Sequence, residues 1–271
     1  MLKILGLWPP ADTYKLDFYS AYSFLSIVAF TCGHNFFQVI NIYFVFPDLE
    51  AIVATIFVTL LEILTLLKTY YVIQDMQLLK QLIVDINEEH FQPRNLSQIE
   101  MVEPSLNFWK KTSTVFWSMS TGAIFFWATY PILDGSVQEN RLPFLAWYPY
   151  DTTVSPFYEI TYVYQIMSVA FIASTALTVD TLIAALSVFI GAQCDILCDN
   201  LKQIFMEDNF NYCEREVLSC IKHHKEILKF ASSCNNFFNW IVFAQFFISA
   251  ASIGLIMFQL TIVSFWFIFC F

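Results

Sequence analysis

Charge is scarce in this sequence. Only 13% of its 271 residues are Asp, Glu, Lys or Arg, where an ordinary soluble domain carries about 25%. A chain with half the usual solvating charge is not built as a water-soluble enzyme. Basic residues are scarcer still, 13 against 23 acidic ones, for a net charge of -10 and an isoelectric point near 4.7. That balance offers no basic footprint to a phosphate backbone, so nucleic-acid binding is excluded. Glycine is limited to six residues, and all nine prolines lie at or before Pro156. Beyond that point only Gly191 and Gly254 interrupt what are expected to be long helices. There is no Walker loop, GxGxxG, HExxH or GxSxG, and histidine is confined to His34, His90, His223 and His224. Hydrolytic or redox chemistry has no visible apparatus, and no cofactor is implied.

What is present is apolar: 58% hydrophobic residues, 18% aromatics and a mean hydropathy of +0.58. Disordered chains are poor in these residues. The expected class is an all-α integral membrane protein. A spanning helix needs about 20 largely apolar residues, and five regions qualify, at about 22–45, 51–73, 112–133, 160–180 and 239–262.

Lys3, Lys15, Lys80, Arg94, Lys110, Lys111, Lys202, Arg215, Lys222, Lys225 and Lys229 flank these spans on one side, and only Arg141 lies on the other. The positive-inside rule therefore predicts a cytoplasmic N-terminus. It places 74–111 and 193–238 in the cytosol and 134–159 outside, in a multi-pass protein of the cell membrane. The sequon Asn95-Leu96-Ser97 falls in the cytosol and is expected to stay unused.

The cytosolic segments carry apolar stripes at helical spacing: Leu79, Leu82, Ile83 and Ile86; Ile196, Leu197, Leu201, Ile204 and Phe205; and, after a polar turn near Glu207 to Asn211, Val217, Ile221, Leu228 and Ala231. Such stripes need partners, within the chain or on another subunit. The outer loop alternates Pro143, Pro149 and Pro156 with Phe144, Trp147, Tyr148, Tyr150 and Phe157. It is expected to cap the outer mouth, with Trp147 and Tyr148 as headgroup-level anchors.

Two intramembrane polar residues stand out, Glu62 in span two and His34 in span one. An ionisable group at that depth is a functional-site candidate by default, and a purely structural pairing of the two is the alternative. Cys213, Cys220, His223 and His224 match no standard zinc spacing, so no metal site is expected. The outer halves of spans two to four gather Phe57, Leu61, Phe126, Trp127, Tyr130, Tyr162, Tyr164, Met167 and Phe171. Aromatics and Met with a few hydroxyls suit a pocket for a volatile or lipid-like molecule, burial giving affinity and one hydrogen bond orientation. Packing against lipid or neighbouring helices is the competing use of the same side chains.

Leu5-Gly6-Leu7-Trp8-Pro9-Pro10 before the first span, Pro156-Phe157-Tyr158-Glu159-Ile160-Thr161-Tyr162 leading into the fourth, and Ile221-Lys222-His223-His224-Lys225-Glu226-Ile227-Leu228 before the fifth resemble the insect odorant receptor family. The resemblance runs over essentially the whole chain. It implies a seven-helix subunit that forms a hetero-tetramer with a shared co-receptor in olfactory neurons. It also implies an odorant pocket in the outer half of the bundle, a cytosolic anchor of helix extensions, and a cation pore lined by the last helix. Against that pattern residues 1–271 read as one domain, incomplete at the C-terminus, that ends about where a sixth span would begin. A chain without the pore helix is expected not to conduct. A receptor of the G-protein-coupled type would have its N-terminus outside, and no Asp-Arg-Tyr or Asn-Pro-x-x-Tyr motif is present. A transporter or scaffold finds no inverted repeat to support it.

Overall fold

The computed structural model of the chain describes residues 1–10, 17–205 and 210–269. Lys15 and most of the turn expected near Glu207 to Asn211 lie outside them. Seven α-helices follow in order: α1 Phe18–Ser26, α2 Gly33–Val45, α3 Leu49–Gln74, α4 Met76–Ile86, α5 Leu96–Leu133, α6 Phe157–Phe205 and α7 Phe210–Phe269. No strand occurs among the described residues. The tract after Pro156, poor in helix breakers, gives helices of 49 and 60 residues, about 74 and 90 Å at 1.5 Å per residue.

Windows long and apolar enough to cross a membrane lie within Phe18–Val45, Ala51–Gln74, Phe157–Ile204 and Cys213–Thr261. The region expected as a third span, 112–133, lies in α5 and falls short of that measure. Thr112, Ser113, Thr114, Ser118, Ser120, Thr121 and Thr129 dilute its hydropathy.

The chain divides into two compact units where the sequence suggested one domain. The first comprises Met1–Ile73, Ser118–Thr178 and Trp240–Phe271, the second Gln74–Trp117 and Val179–Asn239.

In the first unit Asp17 caps α1, its carboxylate accepting from the Ser20 N–H at 2.8 Å. The N-terminal segment folds back on this helix. Leu5 and Leu7 are buried, and the Ser23 hydroxyl donates to the Gly6 carbonyl. Gly6 sits at φ +74, and a Cβ there would come within 2.8 Å of Ser23, so the glycine serves both the turn and the close approach.

Between α1 and α2 the residues Ile27–Cys32 form a π-helical turn. The buried face of the span runs Ser23, Ser26, Thr31, His34, Gln38, Asn41. Its usual step of three or four residues becomes five across the wide turn. The π-turn thus re-registers the helix so that polar residues face inward on both sides of it.

In the second unit Met76, Leu79 and Leu82 of α4 are buried, and Phe91 packs edge-on against Phe189 and Phe230 with ring centroids 5.6 and 5.7 Å away. Trp109 donates to the Thr181 carbonyl at 3.2 Å and the Gln98 amide to Asn200 at 2.7 Å. On α6 the expected stripe is buried at Ile196, Leu197 and Ile204. On α7 the buried face differs from the expected one. Cys220, Ile227, Phe230, Cys234 and Phe237 turn inward, whereas Val217, Ile221 and Leu228 are exposed. Both sets keep helical spacing, and the larger aromatic volume of Phe230 and Phe237 takes the core.

Candidate functional site

Three helices of the first unit bury stripes of polar residues. On α2 these are His34, Asn35, Gln38 and Asn41; on α3 Thr55, Thr59, Glu62, Thr65 and Thr69; on α6 Thr161, Gln165, Ser168 and Thr175. Hydroxyls survive there because the helix itself supplies acceptors. Thr55 donates to the Ala51 carbonyl at 2.8 Å, Thr59 to Thr55 at 2.8 Å, and Thr161 to Phe157 at 2.7 Å. Large apolar side chains of the same helices, such as Phe36, Tyr43, Leu61 and Val163, are exposed. A bundle that is polar inside and apolar outside suits a lipid surround.

His34 and Glu62 meet at the middle of this interior. Nδ1 of His34 lies 2.9 Å from Oε1 of Glu62, and both residues are buried. The other polar atom of each, Nε2 and Oε2, is buried with no hydrogen-bond partner, as are Asn35 Nδ2 and Thr175 Oγ1. Phe144 stands edge-on to the imidazole at 6.0 Å and Tyr164 lies 6.3 Å from it.

The loop before α6 folds into this interior. Phe144 and Tyr148 are buried. Gln165 holds them: its Oε1 accepts from the Phe144 N–H at 3.1 Å, and its amide donates to the Phe144 carbonyl at 3.0 Å and the Tyr148 hydroxyl at 3.2 Å. Burial pushes the Tyr148 phenol well above its ordinary range. Tyr148 is therefore a bundle residue and not the headgroup anchor its place in an outer loop suggested, because Gln165 satisfies its hydroxyl and Phe37 packs on its ring at 4.6 Å. Trp147 stacks on Phe44 at 5.1 Å, and its N–H donates to the Phe37 carbonyl at 3.1 Å, which docks the loop on α2.

The nine expected pocket residues are dispersed. Tyr164 is half-buried, and its hydroxyl donates at 2.7 Å to the Ala29 carbonyl in the π-turn. Tyr162 donates to the Ala128 carbonyl at 2.6 Å and joins α6 to α5. Trp127 meets Phe144 edge-on at 4.8 Å, and Phe171 packs on Phe30 at 5.6 Å. Phe57 is half-buried. Leu61, Phe126, Trp127, Tyr130 and Met167 are exposed, Phe126 by 66%, Tyr130 by 62% and Trp127 by 50%.

Thus Tyr164 joins the interior centred on His34, Glu62 and Phe144, Trp127 touches it from its exposed rim through Phe144, and the other four exposed residues do not reach it. Gln165, Phe144 and Gln38 complete it. Their signal in the sequence is polar spacing, Gln165 to Ser168 and His34 to Gln38 to Asn41, inside otherwise apolar helices.

Two concavities of the molecule are lined by none of the nine residues. One, about 1020 Å³, runs along α1 past Phe18, Ser20, Phe24 and Ile27 to Ile73. The other, about 370 Å³, lies in the second unit among Phe91, Val102, Leu106 and Phe189. Among the described residues no group of three His, Cys, Asp or Glu could hold a metal ion.

Comparison with known proteins adds three likenesses. The family model described as 7tm Odorant receptor matches residues 48–271. Odorant receptor Or1 of Anopheles gambiae is 24% identical over 296 residues, which cover 96% of this chain and 68% of that protein. The olfactory receptor OR5 of Machilis hrabei has the same fold. In complex with eugenol it superposes with a TM-score of 0.79 at 18% identity, covering 94% of this chain and 67% of that one. A second structure of OR5 gives a TM-score of 0.75 at 19% identity, covering 95% and 68%.

Proposed function

The chain belongs to the odorant receptor family, and from that premise we propose that it binds a small volatile molecule in the interior of its first unit. The family is one of multi-pass membrane receptors and not of enzymes. The observation that carries the reading is the match over residues 48–271. The interior around Phe144, Trp127 and Tyr164 supports its location, since apolar walls supply affinity and a few fixed polar groups orient the ligand. Trp127 and Tyr164 are the positions at which replacement by Ala is expected to alter ligand tuning, through lost contact area worth roughly 25 cal/mol per Å², whereas Ala at the exposed Tyr130 and Met167 should leave it unchanged.

In the cell the subunit pairs with an odorant co-receptor, and ligand binding biases the opening of a cation channel in that assembly. The N-terminus faces the cytosol, a threading supported by the eleven basic residues on one side of the spans against Arg141 on the other. The exposed Val217, Ile221 and Leu228 of α7 then form a cytosolic face suited to another subunit.

Binding is tested on the purified chain in detergent micelles, by thermal stabilisation against a panel of alcohols, aldehydes, esters and terpenes of six to ten carbons. A ligand that binds only the folded chain raises its melting temperature with concentration. Saturable stabilisation by a subset of the panel is the expected result. A melting temperature that no volatile moves would overturn the reading.

A further inference from the structure

We infer that the His34–Glu62 pair is a polar subsite inside the bundle, and that it selects ligands carrying a hydroxyl group. The inference rests on the receptor reading above and names the ligand chemistry of that interior. Its basis is two buried side chains, each with one hydrogen-bonding atom used and one unused. Nδ1 and Oε1 face each other at 2.9 Å, while Nε2 and Oε2 are enclosed without a partner. Buried polar atoms in folded proteins are satisfied by protein, water or ligand with few exceptions. Two orphaned atoms on one pair are the hydrogen-bonding partners that a polar ligand group would meet if the neighbouring rings of Phe144 and Tyr164 shift to admit it.

The protonation alternatives converge on one ligand class. If the pair is ionised, Nδ1–H donates to the carboxylate, Oε2 accepts, and Nε2–H donates. If histidine is neutral beside a carboxylate, Nδ1–H still donates, and both Oε2 and Nε2 accept. If the proton sits on Glu62, Oε1–H donates to Nδ1, Oε2 is a carbonyl oxygen, and Nε2–H donates. Oε2 is an acceptor in these three states, and when the proton sits on Oε2, Nδ1–H donates to Oε1 and Nε2 is the acceptor, so every arrangement leaves one acceptor, Oε2 or Nε2, that requires a donor. Nε2 changes role from state to state.

A hydroxyl donates and accepts, so it fits every case. An aldehyde, ester or ether has no donor and leaves that acceptor unsatisfied. Sites that hydrogen-bond a hydroxyl discriminate against the analogue lacking it far more strongly than apolar pockets discriminate by size.

The test uses the full chain in detergent and ligands matched in heavy-atom count: 1-octanol, octanal and heptyl methyl ether, with 2-phenylethanol and phenylacetaldehyde as an aromatic pair. Dissociation constants come from thermal stabilisation at known free ligand concentration. The alcohols are expected to bind about 10-fold or more tightly than their partners. In Glu62→Leu, which removes the acceptor, that ratio should fall toward one while the ether's affinity holds.

The comparison of ligands on the unaltered chain stands even if Glu62→Leu fails to fold. Equal affinities within each matched set would overturn the subsite and leave the receptor reading intact. An alcohol preference that persists undiminished in Glu62→Leu would also overturn it. Failure of all five compounds to bind, together with failure of the wider panel, would overturn the receptor reading and the subsite with it.

Discussion

Replacing Gln165 by Leu removes the side chain that fastens the loop to the bundle while keeping much of its volume. Gln165 is fully buried and makes three hydrogen bonds, from the Phe144 N–H, to the Phe144 carbonyl and to the Tyr148 hydroxyl. A typical buried hydrogen bond contributes about 1 kcal/mol net, and a polar group left buried without a partner costs about 1–3 kcal/mol. The three partners cannot all find water, because Phe144 and Tyr148 are themselves buried. Discounting for relaxation of the loop and for the Leu side chain's own apolar contribution leaves about 3 kcal/mol of destabilisation. For a chain of this size that lowers the melting temperature by roughly 5–10 °C. The assay is tryptophan-fluorescence melting in detergent, with Asn140→Ala as the control, since Asn140 bonds the Thr153 carbonyl from an exposed position. A Gln165→Leu melting temperature within 2 °C of the parent (about 1 kcal/mol or less) would refute the account of the loop as a docked cap.

Tyr164→Phe removes the hydrogen bond to the Ala29 carbonyl, and Gly33→Ala places a Cβ 2.9 Å from the Tyr164 hydroxyl. Each should speed amide exchange across Ile27–Cys32, by about 5- to 10-fold for the loss of 1 kcal/mol or slightly more, and unchanged exchange would show that Tyr164 does not hold the π-turn. In the second unit, outside the proposed spans, burial foremost and then His90 and Arg94 lower the pKa of His223, whose Nε2 meets Gln193 at 3.0 Å. The neutral ring is thus favoured in the folded state, so its stabilisation is full above the ordinary pKa of about 6.5. It is lost as pH falls from there through the lowered folded value. Exchange protection around Phe91 and Phe230 should drop between pH 7 and 5 and do so less in His223→Gln, and equal pH profiles would remove His223 as the cause. An epitope tag ahead of Lys3 should stain only permeabilised cells and Asn95 should carry no glycan, whereas staining of intact cells would reverse the threading.

The helices were legible because their causes are local. The absence of Pro after Pro156 and of formal charge over 18–47 and 160–179 writes long apolar helices directly into the sequence. The polar interior was not legible, because polar residues spaced along α2, α3 and α6 leave those helices apolar on average, and their inward orientation depends on packing. On the first span the π-turn breaks the period that would have revealed the stripe, by inserting a step of five between Ser26 and Thr31. Tyr148 illustrates the same limit. Its place between Pro143 and Pro149 marked a loop, but its burial follows from partners distant in sequence, Gln165 17 residues away and Phe37 on α2. Phe126 and Tyr130 show the converse, since aromatic content selects them for a pocket or for lipid equally, and they lie exposed on α5. On α7 two apolar registers compete, and side-chain volume decides between them.

The measurement that bears most directly on the central claim is photolabelling of the purified chain with an aryl-diazirine analogue of an alcohol that stabilises it, followed by peptide mapping. A ligand seated in the first unit should label residues around Trp127, Phe144 and Tyr164, and an excess of the unlabelled alcohol should suppress that labelling. Competable labelling confined to the α1 groove at Phe18–Ile27 or to the second-unit cavity near Leu106 would contradict the account.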